Sequence, residues 1–145
     1  MPTKKEECIE QLERVKAAHL KLMNSIDMAI GGVDTHYYEP LSKYECTFGK
    51  WFYSSDLAKI ILGPQIYEKL EQTHAQWHQI YAKVYNLLFP KKGLLGKIFQ
   101  GKPKPQDIDK AKAYYDDLQQ LTNELVHKLE VAQKRAQALS ETKFT

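Results

Sequence analysis

The segment 46–52, CTFGKWF, places a thiol, a glycine and two large aromatic rings within seven residues. Histidines that fall on apolar helical faces flank it, with His19 upstream and His74 and His78 downstream. Three imidazoles and one thiolate complete a tetrahedral zinc site and leave no position open for a substrate. The spacings are not those of a zinc finger, so helix packing must bring these ligands together. The pattern predicts a zinc centre with a structural or sensing role.

Each ligand also has a simpler interpretation. His19 alone is consistent with a core histidine that donates a hydrogen bond to a carbonyl. His74 and His78 lie four residues apart, about 5–6 Å at Cβ on one helical face, so both can reach a single ion. Ala75 occupies the position where a zincin metalloprotease carries its glutamate base, so this pair does not indicate hydrolysis. Gly49 lowers helix propensity by about 1 kcal/mol, and we expect a partner helix or an indole to pack against it.

Composition predicts one domain over residues 1–145. Its 145 residues are enough for one core, and the hydrophobic and charged fractions of 43% and 27% are typical of globular proteins. No apolar run approaches the roughly 20 residues that cross a bilayer, and the N-terminus has no apolar signal region. Two cysteines without such a signal favour a reducing compartment, so we expect a cytoplasmic location.

Charge is concentrated in one stretch. The net charge is +3, but residues 91–105 carry five lysines and no acid, so the rest of the chain sums to −2. A nucleic-acid site needs basic residues along a whole face, and we predict no nucleic-acid partner. The stretch 90–105 is interpreted as a basic crossover between helices with a short apolar plug. The alternative is contact with an anionic surface or a partner groove.

Hydrophobic periodicity predicts four helices. They cover residues 4–30, a segment from about 41 or 44 to 62, residues 64–89, and about 107–142. The last helix has a heptad-like stripe, and its second half is long enough to extend past the bundle as a coiled-coil stalk or dimer seam. The seam residues are Leu129, Ala132, Ala136 and Leu139. Two further histidines are expected outside the site: His36 in a polar loop, and His127 exposed off the stripe.

An upstream His19, the CTFGKWF segment and a downstream H-x-x-x-H resemble the chemoreceptor zinc-binding (CZB) domain, whose core is C-x-[LF]-G-x-W-[YF]. The resemblance covers about residues 15–85. It implies zinc bound by His19, Cys46, His74 and His78, with Cys46 open to oxidation by hypochlorous acid. Gly49 and Trp51, from the same core, are expected to support the site structurally.

The resemblance also implies dimers and a bacterial cytoplasmic module joined to chemoreceptor signalling regions or diguanylate cyclases. The loop before Cys46 is longer than usual, which leaves His36 without an assigned role. No output domain follows, so we expect a free-standing module or a piece of a longer receptor.

These observations predict an all-α four-helix bundle with one buried zinc, a sensor of zinc or of Cys46 oxidation that signals through helix rearrangement. The alternative is a purely structural zinc in a dimerisation or interaction module. A di-iron enzyme needs two Glu-x-x-His pairs and an inward Glu on each of the other two helices. Glu71 with His74, and Glu124 with His127, supply the pairs on paper. The stripe of the first helix carries no Glu, however, and we predict no enzymatic activity.

Overall fold

All regular secondary structure in the described residues is helical. The computed structural model describes residues 1–32, 41–54, 56–89 and 104–144. The helices are α1 (Lys4–Ile30), α2 (Thr47–Ser54), α3 (Asp56–Leu62), α4 (Pro64–Leu88) and α5 (Pro105–Ala138), followed by a 3₁₀ helix, Glu141–Phe144. The predicted all-α class is therefore confirmed. His36 and the basic stretch up to residue 103 lie outside the described residues.

The ends of α1 and α4 follow from local chemistry. The Thr3 hydroxyl accepts the backbone N–H of Glu6 at 3.1 Å and caps the start of α1. Gly32 adopts a φ of +80° just beyond the end of α1, a conformation that glycine takes without a steric penalty. Pro64 occupies the first turn of α4, where the missing N–H is not needed. These two helices have the boundaries that the sequence predicts, to within one residue.

The predicted second helix, from about residue 41 or 44 to 62, begins later than expected. Residues 43–45 form a turn, and the described helical residues of this segment are those of α2 and α3. The reason is a local exchange of hydrogen bonds. The Ser42 N–H donates to the Glu45 carboxylate at 3.0 Å, and the Glu45 N–H donates to the Ser42 hydroxyl at 3.3 Å. Such side-chain bonds compete with a helix for the same backbone groups.

Helix α5 runs antiparallel to α1 and α4 and packs against both. The Lys5 ammonium donates to the carbonyls of Gln137 and Leu139, each at 2.8 Å, which joins the start of α1 to the end of α5. At mid-length, Trp77 of α4 donates to Thr122 of α5 at 2.8 Å. One long helix therefore covers the other two over most of their length.

The expected coiled-coil extension of α5 is wrong for its main seam residues. Leu129, Ala132 and Ala136 have no exposed surface, because the chain's own core covers them. Leu139 is partly buried and packs against the same core. The apolar stripe of α5 continues to its C-terminal end because α3 and the start of α1 pack against that end. There the Arg135 side chain donates to the Ile61 carbonyl at 2.6 Å.

A search of the described helices for an apolar segment long enough to cross a membrane found none.

Candidate metal centre

Three histidine side chains meet in the core between α1 and α4. His19 lies at the middle of α1, and His74 and His78 lie one turn apart on α4. All three are buried, and one nitrogen from each lies within 4.8 Å of the other two. Helical spacing explains why His74 and His78 share a face, and the packing of α1 supplies the third imidazole.

Two of the distances between donor atoms are close to those of a tetrahedral zinc site. The Nε2 atoms of His74 and His78 are 3.0 Å apart, and the Cys46 Sγ lies 3.4 Å from the His74 Nε2. With Zn–N of about 2.0–2.1 Å and Zn–S of about 2.3 Å, a tetrahedron has edges of about 3.3 Å between nitrogens and about 3.6 Å between nitrogen and sulfur. The three histidines therefore fit a zinc ion by donor type and by their grouping, and the cysteine sulfur lies next to one of them.

Backbone carbonyls determine which ring nitrogen carries the proton in two of the three histidines, His19 and His78. The His19 Nδ1 lies 2.7 Å from the Val15 carbonyl, and the His78 Nδ1 lies 3.0 Å from the Leu41 carbonyl. Because a carbonyl oxygen only accepts, each Nδ1 must donate, and each Nε2 keeps its lone pair. Histidines that bind metals are commonly oriented in this way by a hydrogen bond at the other nitrogen. The hydrogen bond of His19 is thus the one expected of a core histidine, and it also prepares a ligand.

The lone pair of the His19 Nε2 has no hydrogen-bond partner in the part of the chain that the structure describes. This atom is buried, and the His74 Nδ1 is likewise buried without a hydrogen bond among the described residues. A buried polar atom left unsatisfied costs about 1–3 kcal/mol, so buried polar groups in proteins are nearly always paired. The unpaired Nε2 is accounted for if that atom binds an ion.

Burial keeps the three imidazoles neutral. It lowers the pKa of His74 to about 2, helped by the neighbouring His78 and His19. It lowers the pKa of His78 to about 4, again with a contribution from His19, and it lowers the pKa of His19. Neutral imidazole is the form that binds metals, so no proton has to be removed at physiological pH.

Cys46 lies beside the histidine cluster, against His74, at the start of α2. The structure groups the three histidines mutually and places this sulfur next to one of them. Its Sγ accepts the Gly49 N–H at 3.2 Å, so the side chain caps α2. Burial raises the pKa of the Cys46 thiol, and the backbone N–H groups of Gly49 and Phe48 oppose that shift. Cys8, by contrast, is buried elsewhere in the apolar core.

Gly49 has a steric role that differs from the expected one. A Cβ built at this position overlaps the carbonyl oxygen of Lys43 and lies 2.8 Å from its carbonyl carbon. The neighbour is therefore the backbone of the turn 43–45, and neither a partner helix nor an indole. Only glycine lets this turn pack closely on α2 just where Cys46 is placed.

Trp77 is the site residue that sequence reasoning missed. Its ring centre lies 4.5 Å from that of His19 and 5.1 Å from that of His78. Trp51, the predicted support, is half-buried, and its ring centre lies 5.9 Å from that of Phe48. The position of Trp77 beside His78, on the apolar stripe of α4, was the available signal.

The described residues offer no second metal site of the di-iron kind. The Glu71 carboxylate contacts Lys43 and Tyr53 and is not part of the histidine cluster. Glu124 is exposed, and so is His127, as predicted. The two Glu-x-x-His pairs therefore do not converge.

The described part of the chain is helical and contains a buried three-histidine cluster that could hold a metal ion, with a cysteine beside it. The family model of the chemoreceptor zinc-binding domain matches residues 19–85, as the motif predicted. The match begins at His19 and includes Cys46, His74 and His78. Searches of curated proteins and of solved structures found no match.

Proposed function

We propose that this protein is a zinc-binding regulatory domain that holds one Zn²⁺ through His19, Cys46, His74 and His78. The observation that carries the proposal is the meeting of three buried imidazole nitrogens, two of them with their lone pairs directed by carbonyl hydrogen bonds. The sulfur at 3.4 Å from the His74 Nε2 supplies the fourth donor. The family match to a zinc-binding domain agrees with this donor set.

The chain prepares Cys46 to act as a thiolate. A bound zinc supplies the positive charge that stabilises this thiolate despite its burial. The Gly49 N–H donates to the sulfur, and the backbone N–H of Phe48 also favours the thiolate form. A thiolate is also the form that oxidants attack.

The proposed signal is a change in zinc level or the oxidation of Cys46. Hypochlorous acid converts the thiolate to a sulfenic acid and releases chloride, and a thiol reductant reverses the step with loss of water. Sulfenic acid is a weaker donor, so the sulfur leaves the site and α2 loses its cap. Helices α2 and α3 together form the second element of the proposed four-helix bundle. Being short, they are the elements we expect to move first.

The expected output is regulatory and not catalytic. We propose a single domain over residues 1–145 that works in the cytoplasm of a bacterium. Its partner is a chemoreceptor-type or diguanylate cyclase-type signalling protein. This assignment rests on the family, whose description names a chemoreceptor-associated zinc-binding domain.

Elemental analysis tests the metal. We expect one zinc per chain after purification without chelator, or after reconstitution. Alanine variants of His19, Cys46, His74 and His78 should each bind less zinc, whereas His127→Ala should bind as much as the original protein. Absence of zinc after reconstitution, or two ions per chain, contradicts the proposal.

Mass spectrometry after limited oxidation separates the sensor from the purely structural module. A sensor is modified by hypochlorous acid at Cys46 before Cys8, recovers with reductant, and loses hydrogen-exchange protection first in α2. A structural zinc predicts an inert Cys46 and uniform protection until the whole fold is lost.

Sedimentation tests assembly. We propose a homodimer, and a monomer at tens of micromolar contradicts it. The burial of Leu129, Ala132 and Ala136 within one chain means that these residues cannot form its interface.

A further inference from the structure

A carboxylate next to the metal centre joins two separate parts of the chain. One Glu71 oxygen forms an ion pair with the Lys43 ammonium, and the other accepts the Tyr53 hydroxyl. The side chains of Glu71 and Lys43 are only about one-quarter exposed, at 25% and 26%. We refer to Glu71, Lys43 and Tyr53 as the Glu71 clamp.

The partners of Glu71 lie on both sides of Cys46 in the sequence. Lys43 precedes Cys46 by three residues, in the turn before α2, and Tyr53 follows it on α2. Glu71 itself lies on α4, one turn before His74. The clamp therefore ties the segment that carries the cysteine to the helix that carries two of the histidines.

The backbone of Lys43 transmits this attachment to the sulfur. Its carbonyl oxygen lies 3.6 Å from the Cys46 Sγ and abuts the backbone of Gly49. A displacement of Lys43 thus moves the surface against which both the sulfur and the first turn of α2 rest.

Aromatic rings hold the ammonium group in place. The Lys43 Nζ lies 5.1 Å from the ring centre of Tyr44 and 5.5 Å from that of Tyr53, within the range of cation–π attraction. The two rings are 4.7 Å apart. The hydrogen bond to Glu71 is the largest cause of the raised pKa of Lys43. The ion pair is therefore supported on several sides, unlike a mobile surface pair.

We propose that Glu71 is a positioning residue for zinc, which holds Cys46 at the fourth corner of the site through Lys43 and Tyr53. This inference rests on the proposed zinc function and adds a residue that neither donates to the ion nor lies in the CTFGKWF segment. Without the clamp, three imidazoles still bind a metal, but the sulfur is no longer held against it.

Cobalt substitution distinguishes this role from a general contribution to stability. Co²⁺ in the site gives a thiolate-to-metal charge-transfer absorption only when Cys46 is a ligand, while its visible d–d bands report that the metal is bound in a site of low coordination number. Glu71→Gln keeps the shape of the side chain and removes its charge. Glu68→Gln is the matched control, because it is the same substitution at an exposed position of the same helix.

We expect Glu71→Gln still to bind Co²⁺, as shown by visible d–d absorption that is shifted from that of the original protein, and to lose at least about half of the charge-transfer intensity. We also expect about a tenfold loss of zinc affinity, as is typical when a group that orients a ligand is removed. Lys43→Met should have the same effect. The double variant should lose little more than either single one, since both act through one pair. Glu68→Gln should match the original protein.

The outcomes separate the two levels of the proposal. A normal charge-transfer band and normal affinity in Glu71→Gln, or additive losses in the double variant, overturn the clamp and leave the zinc function intact. Absence of the band in the original protein overturns the zinc–thiolate function itself. If Glu71→Gln does not fold, Lys43→Met carries the same expectation and the same contrary result.

Discussion

Two polar groups of side chains lie next to each other in the core, and only one of them is complete. The Trp77 indole donates to the Thr122 hydroxyl at 2.8 Å, and that hydroxyl donates to the Leu118 carbonyl at 2.7 Å. In the neighbouring histidine cluster, the Nε2 atoms of His74 and His78 lie 3.0 Å apart, and the Nε2 of His19 has no hydrogen-bond partner among the described residues.

The difference shows how a binding site can be recognised without its ligand. In the Trp77–Thr122 pair, each donor meets an acceptor from the chain, so nothing further is needed. In the histidine cluster, lone pairs outnumber the protons available to them, which is costly inside a protein. A cation is the partner that accepts several lone pairs at once.

The largest expected effect is that of His74→Leu on the free energy of unfolding, which should be a loss with zinc and no loss, or a gain, with chelator. With zinc present, His74→Leu should lower the free energy of unfolding by several kcal/mol, about 4 kcal/mol if free zinc is 1,000 times its Kd. With chelator, the same variant should be as stable as the original protein or more stable by about 1 kcal/mol, because it removes a buried unsatisfied group. Denaturant unfolding in both buffers measures this. An equal loss in the two conditions would mean that the cluster needs no ion, and His127→Leu serves as an exposed control.

The next largest effect should come from acid, which should lower stability through the histidine cluster and not through the Trp77–Thr122 pair. In chelator, the folded-state pKa values of about 2 for His74 and about 4 for His78 lie below their ordinary value of about 6.5. The unfolded chain therefore takes up protons first, and stability falls as the pH falls below about 6.5. Lowering the pH from 7 to 5.5 should therefore reduce the free energy of unfolding by about 2–3 kcal/mol through these two histidines.

Unfolding at both pH values checks this estimate. The double variant His74→Leu with His78→Leu removes their contribution and leaves that of the carboxylates. If its pH profile matched that of the original protein, the histidines would not be the source of the acid sensitivity.

A smaller effect should follow from opening the complete pair. Thr122→Val keeps the volume but leaves the Trp77 N–H buried without an acceptor, which should cost about 1–3 kcal/mol. Because the pair needs no ligand, the cost should be the same with zinc and with chelator. A cost that appears only with zinc would show that the pair is part of the metal site, since the Trp77 ring also contacts His19.

The smallest effect concerns the two cysteines and leaves stability unchanged. Burial raises the pKa of Cys8 to about 11, so at pH 8 about one molecule in a thousand carries the thiolate there. Cys46 is half-buried and receives a backbone N–H, so in chelator it should react with a small alkylating reagent at least about ten times faster. Peptide mapping by mass spectrometry measures both rates, and faster labelling of Cys8 would contradict the assignment of Cys46 as the accessible thiol.

The sequence by itself determined what depends on near neighbours. The apolar periodicity predicted α1 at residues 4–30, as observed. It predicted α4 at residues 64–89, and the observed helix ends one residue earlier. The spacing of His74 and His78 placed them on one face, because helix geometry relates residues four apart. The short segment 46–52 predicted the family model that matches residues 19–85, since its residue types are specific without any knowledge of the fold.

Tertiary structure alone decided what depends on residues far apart in the chain. Periodicity shows that the second half of α5 has an apolar face, but not that α3 and the start of α1 cover it. The ion pair of Glu71 with Lys43, twenty-eight positions away, and the Trp77–Thr122 bond, forty-five positions apart, could not be predicted either. The physical reason is that a helix specifies its own faces through local geometry, whereas the groups that those faces meet are selected by the packing of the whole chain.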